Sequence, residues 1–189
     1  MKRSRLKVGM YIGLAVLLLV ICGAIFVATR PNEFHVSRSV EMEAPPEVIF
    51  PHVNRLSAWE AWSPYEQIDP EMEKTFEGPE QGEGAVMRWK GNSQAGAGST
   101  KIIQSVPNKS VQIQLTMTEP FGCENDVLFT FVPNGESTTV TWAMTGNVGF
   151  GGKLIHLFIN MDRMVGGQFQ DGLTQLKEIA EKQATADTT

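Results

Sequence analysis

Residues Val8 to Ala28 form a run of 21 positions without a charge, VGMYIGLAVLLLVICGAIFVA. A chain with such a run has few ways to place it. As a helix rising 1.5 Å per residue it measures about 31 Å, close to the ~30 Å hydrocarbon thickness of a bilayer. In lipid every backbone polar group must be bonded within the segment, and a lone segment achieves this only as an α-helix. Lys2, Arg3, Arg5 and Lys7 precede the run, and only Arg30 follows closely. This bias predicts a single-pass membrane anchor over residues 8–28. Residues 1–7 stay in the cytoplasm and the remainder lies on the far side, periplasmic or extracellular.

A cleaved signal peptide is the rival reading. It calls for an apolar core of about 7–15 residues and a small-x-small cleavage site. The run is longer than that, and Val27-Ala28-Thr29 beside Phe26 is a poor site. Lipid modification of Cys22 would need a small residue in front of it, where Ile21 stands. Each reading leaves the remaining chain outside the cytoplasm. Gly9 and Gly13 have the spacing that lets two helices pack closely, though glycine pairs also occur in helices that pack against nothing.

Residues 31–189 suit one domain able to bury roughly two-thirds of its unfolded surface. All 21 acidic residues lie there, against 11 of the 16 basic ones, for a formal charge near −10. Such a domain is a poor partner for nucleic acid or anionic headgroups. Of the two cysteines, Cys22 is in the apolar run and Cys123 in the domain, so no disulfide forms within the domain.

Alternation of apolar and polar residues marks the strands. Phe34, Val36, Val40 and Met42 share one face of a strand over 34–43, which ends at Ala44-Pro45-Pro46. Pro46 can open a helix, and Pro51 limits it to a turn or two. A second short helix runs through Trp59 and Trp62 to Ser63-Pro64. Six strands follow, over 72–77, 84–90, 99–106, 111–118, 126–132 and 137–145. Asn134-Gly135 joins the last two as a hairpin. Met161, Val165, Phe169, Leu173, Leu176 and Ile179 then recur at helical spacing, forming an amphipathic stripe of about 20 residues. Gly166, Gly167 and Gly172 interrupt it, each lowering helix propensity by up to ~1 kcal/mol relative to Ala, so packing has to compensate. Residues 184–189 read as a disordered polar tail. The order implies an α+β fold, in which an antiparallel meander buries one face under the final helix.

Two segments make the pattern more specific: VSRSVEMEAPPEVIFPHVNRLSAWEAWSPY at the start and MDRMVGGQFQDGLTQLKEIAEK at the end. They resemble the START-like (SRPBCC) superfamily, which includes polyketide cyclase/dehydrase and lipid-transport proteins and birch-pollen-allergen-like proteins. The resemblance covers about residues 33–183. It implies a helix-grip fold, with a curved antiparallel sheet of about seven strands wrapped on a long C-terminal helix and two short helices after the first strand. It also implies an apolar cavity between sheet and helix. The candidate walls are Trp59, Trp62, Tyr65, Met87, Trp89 and Met117, with Trp142, Met144, Phe158, Met161, Val165 and Phe169. Residues of these types at these spacings also serve simply as core.

Signs of chemistry are sparse. His35, His52 and His156 are scattered without metal-ligand spacing. Cys123 follows Phe121-Gly122 in a turn and has no histidine near it in sequence. The glycine-rich stretch 91–98 lacks the Gly-Lys-Ser/Thr ending of a phosphate loop and reads as a hairpin tip at the cavity mouth. Arg88 and Lys90 face away from Met87 and Trp89. Asn108-Lys109-Ser110 is a glycosylation sequon, relevant only in a eukaryotic secretory route.

No cofactor motif, metal site or catalytic motif is evident. Three functional readings follow from the resemblance, whose members range from ligand carriers to enzymes. The first is a membrane-anchored domain binding a hydrophobic small molecule or lipid. The second is a cyclase- or hydratase-type enzyme, with Glu119, His156 and Asp162 as the loose acid/base candidates. The third is a ligand-free interaction module at the membrane.

Overall fold

The computed structural model describes residues 2–29, 31–120, 122–149, 152–153 and 160–187. Side chains are described from Gly13 onward in the first helix, apart from Ala15 and Val20, and from Asp162 to Ala186 in the last. Two compact units emerge, Met1–Asn32 with Val148–Ile159, and Glu33–Asn147 with Asn160–Thr189.

The first unit contains helix α1 (Lys2–Ala28). Leu14, Val16, Leu17, Leu18, Leu19, Ile21, Ile25 and Phe26 are exposed, which places apolar side chains around most of the helix circumference, while Val27 is buried. Its C-terminal carbonyls find donors: Thr29 Oγ1 donates to Phe26 O at 2.8 Å, and Lys153 Nζ to Ala28 O at 3.3 Å. The Lys153 cation is well placed at the negative end of the helix. Among the described residues no helix is long and apolar enough to cross a membrane. The described side chains of α1 begin at Gly13, and residues 13–28 alone fall short of the ~20 positions a span requires.

The second unit opens with β1 (Glu33–Met42), α2 (Pro46–Asn54) and two 3₁₀ turns, Leu56–Ala61 and Pro64–Gln67. Then come β2 (Glu73–Glu77), β3 (Val86–Lys90), β4 (Ala97–Val106), β5 (Ser110–Glu119), β6 (Cys123–Asn134) and β7 (Ser137–Asn147). Helix α3 (Met161–Asp187) completes it. The seven strands form one antiparallel sheet in the order β1-β7-β6-β5-β4-β3-β2. This is the α+β helix-grip arrangement expected from the sequence. Register shifts at Ile102/Gln104 and Ala97/Gly98 mark bulges, which bend and twist a sheet locally.

Helix α3 covers the inner face with Val165, Phe169, Leu173, Leu176 and Ala180, all buried. Facing them are Val111 and Ile113 of β5, Val127, Phe129 and Phe131 of β6, and Val140, Trp142 and Met144 of β7. At about 25 cal/mol per Å² of apolar surface, this layer is the main source of stability.

Several local expectations need correction. Pro51 does not stop α2, which continues to Asn54. Beyond it, Val53 is fully buried, and the indole N–H groups of Trp62 and Trp59 each donate at 3.0 Å to the carbonyls of His52 and Val53. Tertiary contacts thus satisfy carbonyls that a helix end leaves open. The second short helix is a 3₁₀ turn, Leu56–Ala61, and a further 3₁₀ turn, Pro64–Gln67, begins at the proline expected to close it. Cys123 opens β6 rather than sitting in a turn. In the β6–β7 hairpin, Asn134 pairs with Ser137, so Gly135 and Glu136 are the two central residues. Gly135 has φ 65°, the position where a type II′ turn needs glycine. Residues 184–187, read as part of a tail, continue α3 because Ala184 packs on the core.

Candidate functional site

Strand register determines which side chains share the concave face. One cross-strand row runs through Val111, Phe129 and Trp142. The next holds Ile102, Ile113, Val127 and Met144. In the third, Leu115 lies opposite both Thr100 and Asn125, and Asn125 lies opposite Gly146. Gly146 is required here, because a Cβ at that position would run into Asn125 Oδ1 and the Phe34 ring. A missing side chain on β7 therefore makes room for a carboxamide on β6.

Towards the first row the space between sheet and α3 is filled by aromatic rings. Trp142 stacks on Phe169 with centroids 4.1 Å apart and planes 9° apart. Trp59, Trp62, Tyr65 and Phe129 pack around Trp142 at 4.9–6.3 Å. Trp142 Nε1 is buried there without a hydrogen-bond partner among the described residues, enclosed by rings whose faces are at best weak acceptors. The other three tryptophans donate to backbone carbonyls, Trp89 to Ala95 O at 3.2 Å.

Towards the third row the space is open. It forms a cavity of about 350 Å³, within the range of small-molecule sites. Of the residues singled out in the sequence, Trp59, Tyr65, Met87, Trp89 and Met117 border it, as do Trp142, Met144, Val165 and Phe169. Trp62 does not border it. Fully buried at the end of the first 3₁₀ turn, it belongs to the core beneath. Phe158 and the side chain of Met161 lie outside the described residues. Exposed Gln94, on the glycine-rich loop between β3 and β4, and half-exposed Met164 on α3 flank the opening.

Sequence reasoning missed the polar part of the lining: Ser63, Glu66, Thr100, Asn125 and Gln168. The alternation contained the signal for two of them. Asn125 is in phase with Val127, Phe129 and Phe131, and Thr100 with Ile102, so both are polar residues at inward positions. Glu66 is the one charged lining residue among those described, and its carboxylate is ion-paired with Lys74. Burial pushes the Tyr65 hydroxyl well above its ordinary range, so it stays protonated.

The enzymatic candidates are not brought together. Asp162 is on the surface, its carboxylate held below the usual range by hydrogen bonds from Arg38 at 2.9 and 3.1 Å. Glu119 ends β5 and does not border the cavity. His156 lies outside the described residues. His35 contacts Thr145 and His52 contacts Gln183, both on the surface. Among the described residues no group of His, Cys, Asp or Glu could hold a metal ion.

This architecture recurs in solved structures. A protein of Thermobifida fusca is 21% identical with a TM-score of 0.58, covering 78% of this chain and 93% of its own. A protein of Chromobacterium violaceum is 15% identical with a TM-score of 0.55, covering 80% and 99%. The di-domain ARO/CYC protein BexL is 13% identical with a TM-score of 0.56, covering 83% of this chain and 53% of its own. At such identities the likeness concerns the fold. No curated protein matches the chain. The sequence family described as polyketide cyclase / dehydrase and lipid transport matches residues 33–181, the whole sheet and most of α3. The chain belongs to the polyketide cyclase / dehydrase and lipid transport family.

Proposed function

We propose that the domain binds a hydrophobic small molecule or lipid in the cavity between the sheet and α3, and that residues 8–28 anchor it to a membrane. The observation carrying the first part is the cavity itself. A folded interior normally packs to about 0.74 density with few voids larger than water, so an open space of about 350 Å³ under a covering helix is unusual for mere core. Its wall is mainly Trp, Met, Leu, Ile, Val and Phe, and methionines suit a site that adapts to its occupant.

The second part rests on the uncharged run and on the exposed apolar surface around α1. A helix apolar on every side is stable only where something apolar surrounds it. The basic residues before the run orient the domain to the periplasmic or extracellular side. Only Thr29 to Asn32 separate α1 from β1, so the tether is short.

Leu115 is half-buried on the cavity floor. Leu115→Trp sends its added volume into the open space. Wild-type protein is expected to gain thermal stability from naphthalene-type probes, and the variant is not. Equal shifts in both would place the binding elsewhere. Retention of the chain in membranes after alkaline carbonate extraction tests the anchor, and full release would refute it.

A further inference from the structure

The polar groups facing the cavity define what kind of hydrophobe fits it. Asn125 is only 9% exposed, and among the described residues its sole side-chain hydrogen bond is a weak one, Nδ2–H to Cys123 Sγ at 3.7 Å. Its Oδ1 accepts nothing among the described residues, and Thr100, 4% exposed, makes no side-chain hydrogen bond there either. Buried polar groups are normally paired. Among the described residues only Trp142 Nε1 is both unpaired and sealed from water. The free atoms of Asn125 and Thr100 therefore keep accessible surface, and both residues border the cavity. They flank Leu115 in one cross-strand row, which puts a carboxamide and a hydroxyl on either side of an apolar floor residue.

Among the described residues bordering the cavity there is no Lys, Arg or His, and Glu66 is already satisfied by Lys74. A ligand carboxylate or phosphate would be buried with no cation of its own, since the nearby Lys74 is already paired with Glu66, and that is strongly unfavourable. An uncharged oxygen suits the site. Asn125 can both donate to it and accept from it, and Thr100 can do the same.

We infer that, if the cavity binds a ligand as proposed above, it selects uncharged hydrophobes bearing a hydroxyl or carbonyl. Asn125 is the residue that reads this oxygen, assisted by Thr100. The apolar body lies along Met144, Trp142 and Phe169. Free fatty acids and phosphate-bearing head groups are excluded from the interior.

Four probes of one ring size separate the alternatives: naphthalene, 2-naphthol, 2-acetonaphthone and 2-naphthoate. Each is titrated calorimetrically at pH 7 into the detergent-solubilised full chain, wild type and Asn125→Leu. Micelle partitioning is common to both proteins and cancels in the ratio. The oxygen-bearing neutral probes are expected to lose about tenfold in affinity in Asn125→Leu, equivalent to one hydrogen bond, while naphthalene changes less than about twofold. 2-Naphthoate is expected to bind wild type at least about tenfold more weakly than 2-naphthol, since a buried carboxylate there has no counter-ion. Equal binding of 2-naphthoate and 2-naphthol overturns the inference while leaving the cavity reading standing. So does an unchanged naphthol-to-naphthalene ratio in the variant. Binding of none of the four overturns both. Should Asn125→Leu fail to fold, Thr100→Val and the wild-type neutral-to-charged ratio give the decision.

Discussion

Three glycines in α3 separate close packing from mere helix weakness, and the structure assigns each a different outcome. Gly167 is exposed, and a Cβ there meets nothing within 4 Å. Gly167→Ala should gain the full helix-propensity difference of about 0.8–1 kcal/mol. For a chain of this size that raises Tm by about 2–4 °C. Gly172 lies where α3 crosses the sheet. A Cβ there falls 2.9 Å from Trp142 Cζ3 and 2.9 Å from Pro64 Cδ. Both are ring atoms, and Trp142 is pinned by its stack on Phe169, so neither can swing aside. Overpacking of this kind costs about 1–3 kcal/mol, against a propensity gain of up to ~1. Gly172→Ala should therefore lose up to about 2 kcal/mol and lower Tm by several degrees. At Gly166 the Cβ would enter the Arg38 guanidinium, so Gly166→Ala must displace Arg38 from Asp162. Far-UV circular dichroism of the detergent-solubilised chain, melted and titrated with urea, reads all three. If Gly172→Ala stabilises as much as Gly167→Ala, α3 does not lie this close to β7, and the roof assigned to the cavity is misplaced.

Other outcomes follow from the same geometry. Phe169→Ala removes a fully buried ring stacked on Trp142 and should cost about 3–5 kcal/mol, read by urea denaturation. Tyr65 has its folded-state pKa raised by burial, so its contribution is fully present below the ordinary tyrosine pKa of about 10 and is lost as pH rises beyond it. Alkaline unfolding monitored by tryptophan fluorescence should thus shift to higher pH in Tyr65→Phe, and an unchanged midpoint would contradict the burial. Gly146→Ala should collide with Asn125 and Phe34, reduce stability and weaken 2-naphthol binding more than naphthalene binding.

The sheet and α3 were largely legible in the sequence because their signal is periodic. Val111, Ile113, Leu115 and Met117 alternate without interruption, and the α3 stripe holds its spacing from Val165 to Leu176. Burial of one face enforces both patterns. Less legible was whatever broke the period. Arg38 is in phase with Val36 and Val40, yet it reaches across to Asp162 near the start of α3. Asn125 and Thr100 occupy inward positions while being polar, so a search for apolar walls passes over them. Trp62 could not be told from Trp59 by spacing: both sit on the same turn, and the indole hydrogen bonds alone do not separate them either. What separates them is depth, since Trp62 lies wholly in the core and Trp59 reaches the cavity. The continuation of α2 through Pro51 was hidden because it depends on those indoles, which come from residues beyond the helix.

The proposed function requires that this interior hold a ligand. Native mass spectrometry of the full chain, wild type beside Leu115→Trp, addresses it directly. Wild-type protein is expected to carry an adduct that dissociates as an uncharged, oxygen-bearing hydrophobe and is missing from the variant. Wild-type protein carrying no adduct, and gaining none from a panel of neutral hydrophobes, would contradict it.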